Sequence, residues 1–336
     1  MYESFYKLSA KPFQLSPDPR FFFGSQGHKR AMSYLRYGLT QGEGFIIITG
    51  GVGTGKTTLV RALFEGLAKE NVVAAQLVTT HLEAEDTLRM VAASFGLAHE
   101  GASKAAILKN LETFLKARAR EGKRVLLVID EAQNLPIESL EELRMLSNFQ
   151  VDGRALIQSF LLGQEEFKAT LQTEGLEQLR QRVIAAYHLE PLGPEEMREY
   201  IEHRLKLVGW KEHPAITDGA FAAMYDHTGG VPRRINTFCD RLLLFGYLDE
   251  LTELNDQHVK EVISELKQEN PLVNDTEAEP HAVMAEPPTT TNTKVGVSYS
   301  HEVEHVGVLE ARIGILEERI DILERALRRM LETKMR

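Results

Sequence analysis

Residues 50–58 read GGVGTGKTT and follow the apolar run GFIII after a single Thr49. They satisfy the spacing G-x-x-x-x-G-K-[ST] between a strand-like and a helix-like segment. Gly50, Gly51, Gly53 and Gly55, with Val52 and Thr54 between them, allow backbone N–H groups to turn toward phosphate oxygens without a Cβ in the way. Lys56 is placed to reach β- and γ-phosphates, and the Thr57 hydroxyl suits Mg²⁺. Thr58 continues into a helix whose N-terminus favours negative charge. The chemistry implied is the binding of a nucleoside triphosphate. A second constellation, RVLLVIDE, ends an apolar strand on Asp130, where a carboxylate can hold Mg²⁺ through water. Glu131 follows and is placed to polarise an attacking water as general base, which favours hydrolysis over phosphoryl transfer to a small molecule. Two arginine pairs complete the set: Arg180 and Arg182 in LRQRV, and Arg233 and Arg234 in GGVPRRIN. Arginine stabilises charge on a γ-phosphoryl group well and can be supplied by a neighbouring subunit.

These residues need a frame. Strand-like runs occur at 45–49, 72–78, 124–130, 155–163 and 185–192, with amphipathic segments such as TTLVRALFEGLAKE and LEELRMLSNF between them. Continuous apolar strands alternating with helices predict a parallel α/β sheet covered on both faces. After Leu192 the pattern becomes helical without strands. GPEEMREYIEHRLKLVGW opens with Pro and acidic residues, a helix start. TDGAFAAMYDHTGG has Thr217 or Asp218 as cap and ends in Gly229–Gly230. The expected organisation is an α/β nucleotide-binding core over 1–192, a helical lid over 193–268, a disordered linker over 269–302 rich in Pro, Thr and Glu, and a helical tail over 303–336.

Charge and composition bound the function. Lys and Arg number 39 against 49 Asp and Glu, a formal net charge of −10, which argues against broad nonspecific binding to nucleic acid or anionic lipid. The single cysteine, Cys239 in an apolar context, is expected as a core residue. No apolar run approaches the ~20 residues that span a bilayer, and the opening residues lack a signal-peptide core. The expected location is cytoplasmic, with recruitment to the inner membrane left to a partner.

The motifs GGVGTGKTT, LLVIDEAQNL, FLLGQEEF, LRQRVIAAYHLEPL and GGVPRRIN stand in the order seen in AAA+ ATPases of the P-loop NTPase fold. With the opening KPFQLSPDPRFFFGSQGHKRAMSYLRYGL, the chain resembles the ExeA-like ATPases of general secretion over about residues 1–268, nearest the branch associated with exosortase and PEP-CTERM systems. The resemblance implies ATP as ligand and hydrolysis that drives conformational work in secretion, envelope or exopolysaccharide assembly. It implies Gln164 as a sensor of the γ-phosphate, Arg182 as the trans-acting finger with Arg180 as alternative, and Arg233 as a second sensor on the lid. It also places Phe13 and Tyr34, with the segment around Pro17, against the adenine. The alternatives are a DNA-associated ATPase of the transposition or initiator type and a nucleotide-gated scaffold; the Asp130–Glu131 pair argues against the second.

The tail has its own pattern. Val306, Ile313, Ile320 and Leu327 take a positions and Leu309, Leu316, Leu323 and Met330 take d positions of a heptad repeat. β-Branched residues at a with leucine at d favour a parallel two-stranded coiled coil. Self-association is therefore expected twice, through this coil and through a ring of subunits exchanging arginines.

Overall fold

The structure is a computed structural model that describes residues 1–14, 18–67, 70–78 and 84–269. The expected linker beyond residue 269, the heptad tail and Pro17 lie outside the described residues.

Five parallel strands form the central sheet: β1 (Phe45–Gly50), β2 (Val72–Val78), β3 (Arg124–Asp130), β4 (Gln158–Gly163) and β5 (Val183–Leu189), in the order β2-β3-β4-β1-β5. The continuous apolar runs of β1 and β3 are buried on both faces of the sheet. In β1, Phe45 and Ile47 pack into one hydrophobic layer and Ile46 and Ile48 into the other. In β3, Val125, Leu127 and Ile129 alternate in the same way with Leu126 and Val128. Each fully buried side chain of this kind contributes about 1.5–3 kcal/mol.

Helices α1 (Gln26–Gln41) and α2 (Lys56–Leu67) cover one face; α3 (Ala84–Ser94), α4 (Lys104–Arg120) and α5 (Ile137–Leu146) cover the other. Two strand boundaries differ from the sequence reading. Arg154–Ala155 leave the sheet to pair antiparallel with Gln150–Val151 in a small hairpin, and the last strand starts at Val183 and ends at Leu189. Apolar content does not distinguish a strand from the hairpin that feeds it.

The register aligns the strand ends. Ile129 lies opposite Leu161, and Thr49 opposite Gly163, so the carboxyl ends of β3, β4 and β1 are side by side. In open parallel sheets this edge is where ligands bind.

Four helices follow: α6 (Pro194–Leu207), α7 (Asp218–Thr228), α8 (Pro232–Leu248) and α9 (Asp256–Glu269). Thr217 is the cap of α7, accepting from Ala220 N at 3.2 Å, and Gly229 closes that helix in the left-handed conformation. The lid is not purely helical: Ala215–Ile216 pair in parallel with Glu253–Leu254. Its core includes Met197, Ile201, Phe238 and Leu242, and it also takes Tyr2, Tyr6, Leu8, Phe13 and Phe21. The backbone N–H of Ser9 donates to Val208 O at 2.9 Å, and Tyr6 Oη donates to Leu251 O at 3.2 Å. The N-terminal residues, grouped with the sheet by their position in the chain, therefore pack with the lid.

Candidate nucleotide site

The loop between β1 and α2 is a backbone cradle. Gly53 has φ +82° and Gly55 φ +101°, conformations that a side chain strongly disfavours. A Cβ on Gly55 would stand 2.7 Å from His28 Nε2, and one on Gly53 2.7 Å from the Arg233 Cβ. Neighbouring groups thus close on the loop from both sides. Lys56 is 6% exposed and donates from Nζ to the carbonyls of Gly50 at 2.8 Å and Gly51 at 3.0 Å. Burial pulls its pKa below the usual lysine value, while Glu131 and Asp130 pull it back up. A buried ammonium held by neutral carbonyls, at the start of a 12-residue helix, fits a polyphosphate.

Beside it, Thr57 Oγ1 donates to Asp130 Oδ2 at 2.8 Å, and Asp130 Oδ1 accepts from the Glu131 N–H at 3.1 Å. Asp130 is 2% exposed, and burial pushes its carboxyl above the usual range despite the Thr57 hydrogen bond. A hydroxyl and a carboxylate in contact at this edge are the hard oxygen donors that suit Mg²⁺. Glu131 turns the chain out of β3 with φ +57°, a strained setting for a residue with a side chain. Burial would raise its carboxyl, but hydrogen bonds from Gln133 and Gln164 and the charge of Lys56 outweigh it, and the net shift is downward.

Those two amides organise the base. Gln133 Nε2 donates to Glu131 Oε2 at 2.6 Å and Gln164 Nε2 donates to the same oxygen at 3.2 Å. Gln133 also accepts at Oε1 from the Gln164 backbone N–H at 2.9 Å, bridging the ends of β3 and β4. Sequence reading placed Gln164 here and missed Gln133. The missed signal is an amide two residues beyond the acidic pair. His28 was missed as well: it lines the cavity, and its Nδ1 lies 2.7 Å from Ser25 Oγ. Burial lowers its pKa, keeping a neutral ring against the loop.

A cavity of about 340 Å³ opens over this edge and is bounded on its far side by the lid. Val52, Gly53, Gly55, Lys56, Thr57, Thr58, Glu131, Gln164 and Arg233 all line it. Arg233 belongs to α8, and its backbone N–H donates to Gly53 O at 3.2 Å, joining lid and loop directly. Two expected residues are corrected. Phe13 is buried in the lid core, with the Arg204 guanidinium 5.9 Å from its ring centroid, and does not line the cavity. Tyr34 packs against Tyr187 at 5.6 Å on α1, also off the cavity. The aromatic wall is instead Phe21, Phe22 and Phe23 with Tyr200. The next arginines stand elsewhere. Arg180 donates to the carbonyls of Leu171 and Thr173 and pairs with Glu177 at 3.2 Å. Arg182 donates to Ser147 Oγ and Asn148 Oδ1 just past α5. Neither lines the cavity.

Comparison with known proteins agrees with this geometry. Residues 39–171 match the AAA domain family. General secretion pathway protein A of Aeromonas hydrophila is 38% identical over 248 residues, which is 74% of this chain and 45% of that protein. The chain thus spans less than half the length of that relative. Among solved structures, Cdc6p from Pyrobaculum aerophilum superposes with a TM-score of 0.58 at 17% identity, covering 78% of this chain and 70% of that one. The ORC2 protein of Aeropyrum pernix, solved as ADPNP–ADP complexes, gives 0.53 at 19% identity, with 71% and 67% covered. At such identities the likeness is one of fold. The sheet order and the loop that cradles anions agree with the AAA domain matched over residues 39–171, and the chain is similar to general secretion pathway protein A over the 248 residues they share.

Proposed function

We propose that the protein binds ATP with Mg²⁺, hydrolyses it, and uses the cycle to move its lid on a partner in secretion or envelope assembly. The observation that carries the reading is the convergence of Thr57, Asp130, Glu131 and Gln164 beside Lys56 at one edge of the sheet. Lys56 leaves its two carbonyl acceptors for phosphate oxygens. Thr57 and Asp130 would hold Mg²⁺, which when bound supplies charge neutralisation on the phosphates. Glu131 stays ionised through neutral pH, accepts a proton from the attacking water and keeps that water oriented. Gln133 and Gln164 hold its Oε2 and so orient the carboxylate. Arg233 senses loss of the γ-phosphate and passes it to α8 through a helix already bonded to Gly53.

Arg182 acts on a neighbouring subunit's nucleotide, a role supported by its place off its own cavity; Arg180 is tied to local carbonyls and serves structure. Self-association in a ring follows from this assignment. The name of the relative supports a place in secretion, and the sequence resemblance extends it to exopolysaccharide and PEP-CTERM assembly on the cytoplasmic side of the inner membrane. Among the described residues no helix is long and apolar enough to cross a membrane; recruitment to the membrane by a partner belongs to the same reading.

Glu131→Gln tests the central claim. The variant should bind ATP normally and hydrolyse it about 10²–10⁴-fold more slowly. Turnover at the wild-type rate sinks the assignment of the base.

A further inference from the structure

Arg204, on α6, is 7% exposed and lines the cavity. A buried guanidinium is costly unless its charge is compensated; among the described residues no carboxylate bonds to it, and Asp18, whose carboxylate its charge reaches, is already paired with Arg20 at 2.6 Å. It is held by neutral groups instead. Nε donates to Pro12 O at 2.7 Å, Nη1 donates to Tyr200 Oη at 2.9 Å, and the charge sits 4.7 Å from the Phe21 ring centroid. Tyr200 Oη in turn donates to Asn236 Oδ1 at 2.7 Å.

This chain of three has a fixed polarity. Arginine cannot accept, so the phenol oxygen must receive from it and spend its own proton on Asn236. An amide facing that proton must present its oxygen. The Asn236 NH₂ is therefore turned away from Tyr200, and Asn236 lines the cavity one helical turn beyond Arg233. Among the described residues neither Asn236 Nδ2 nor Arg204 Nη2 has an acceptor, and neither is among the buried polar atoms sealed without a partner. Both are donors open to the cavity.

We propose that Arg204 and Asn236, oriented through Tyr200, read hydrogen-bond acceptors on the nucleoside part of the bound nucleotide. The inference rests on the P-loop taking the phosphates, which leaves base and sugar to the wall formed by Phe21–Phe23, Tyr200, Arg204 and Asn236. That wall offers stacking faces and N–H donors, the complement of the ring nitrogens of a purine and of the ribose oxygens. Tyr200 is a positioning residue here: its hydroxyl is spent within the protein and sets which end of Asn236 meets the ligand. The same network ties Pro12 to the lid, so the nucleoside wall cannot form unless the N-terminal segment is in place.

The test separates the two ends of the ligand. Calorimetric titration with Mg²⁺ present should be run with ATP and with inorganic tripolyphosphate, which has no nucleoside. Tyr200→Phe removes one oxygen and keeps the ring, and Asn236→Ala removes the amide; thermal melts check folding. Each should weaken ATP by about tenfold, the worth of one hydrogen bond, and leave tripolyphosphate within about twofold. Arg204→Lys keeps the charge without the forked geometry and should behave like Tyr200→Phe. Equal loss for both ligands would reduce the network to a structural tie and overturn the proposal, as would unchanged ATP binding in Tyr200→Phe and Asn236→Ala. Wild-type protein that binds ATP but not tripolyphosphate would place the main affinity in this wall and sustain the proposal. Wild-type protein that binds neither would overturn the P-loop assignment beneath it.

Discussion

The phosphate-facing wall of the cavity comes from residues 50–58 and the tips of β3 and β4, whereas the opposite wall collects Phe21–Phe23, Tyr200 and Arg204, and Arg233 and Asn236. The first is largely backbone, with glycines where N–H groups must face an anion. The second is side chains from three segments, held by aromatic packing and a relay of hydrogen bonds. A triphosphate offers the same oxygens in every nucleotide, so a short local loop is enough to hold it. The rest of the ligand offers direction and identity, and only a composite surface can read those. The division also assigns motion. The loop belongs to the sheet, the composite wall to the lid, and Arg233 joins them at Gly53.

The largest expected effect would extend the phosphate wall beyond one subunit. Arg182→Ala should bind ATP nearly normally and lose about 10³–10⁵ in rate. Mixed with Glu131→Gln, which keeps its own Arg182, it should recover activity that neither variant has alone. Absence of recovery in verified mixed oligomers would return Arg182 to a local role beside Ser147. Next, Lys56→Ala should weaken ATP and tripolyphosphate alike, by about a hundredfold or more in titration, since it removes the charge both ligands share. A variant that lost only one of them would erase the distinction between the walls.

Gly53→Ala strikes the junction. It asks alanine to adopt φ +82° with its Cβ 2.7 Å from that of Arg233. A loss of about 1–3 kcal/mol in unfolding free energy is expected by chemical denaturation, and Arg233→Gly in the same chain should relieve the contact but not the φ. Full stability in Gly53→Ala would mean the lid does not rest on the loop in solution. The smallest effect belongs to Tyr2→Phe, which removes the hydrogen bond to Asp240 far from the phosphates. It should cost about 1 kcal/mol of stability and leave tripolyphosphate binding untouched.

The same division explains what could be read before the structure. Gln164 and the sensor role of Arg233 came from the family resemblance, whereas the loop, Asp130 and Glu131 were legible because each sits at a fixed offset from a strand end or helix start, and the apolar runs mark those ends. All but the edges of the five strands followed for the same reason. Gln133 was not legible, because an amide three residues past a strand has no periodic mark; only the turn made by Glu131 brings it back to the base. Phe13 and Tyr34 were misplaced because the resemblance points to a segment near the ligand and cannot say which of several nearby rings faces it. Phe13 is enclosed in the lid core, whereas Phe21 of the same core reaches the cavity together with Phe22 and Phe23. Residues from 270 onward lie outside the described residues, so the heptad tail stands on its spacing alone.

The tie between the N-terminal residues and the lid has a consequence for biosynthesis. Asp240 is 238 residues after Tyr2, and Arg204 is 192 after Pro12. At roughly 5–20 residues per second, Tyr2, Tyr6 and Phe13 would wait on the order of 10–50 s for their packing partners to be translated. The sheet can assemble meanwhile, since its strands are complete by Leu189. During that interval a row of apolar and aromatic side chains is uncovered on the nascent chain, and a holdase such as a ribosome-bound chaperone would find its target there.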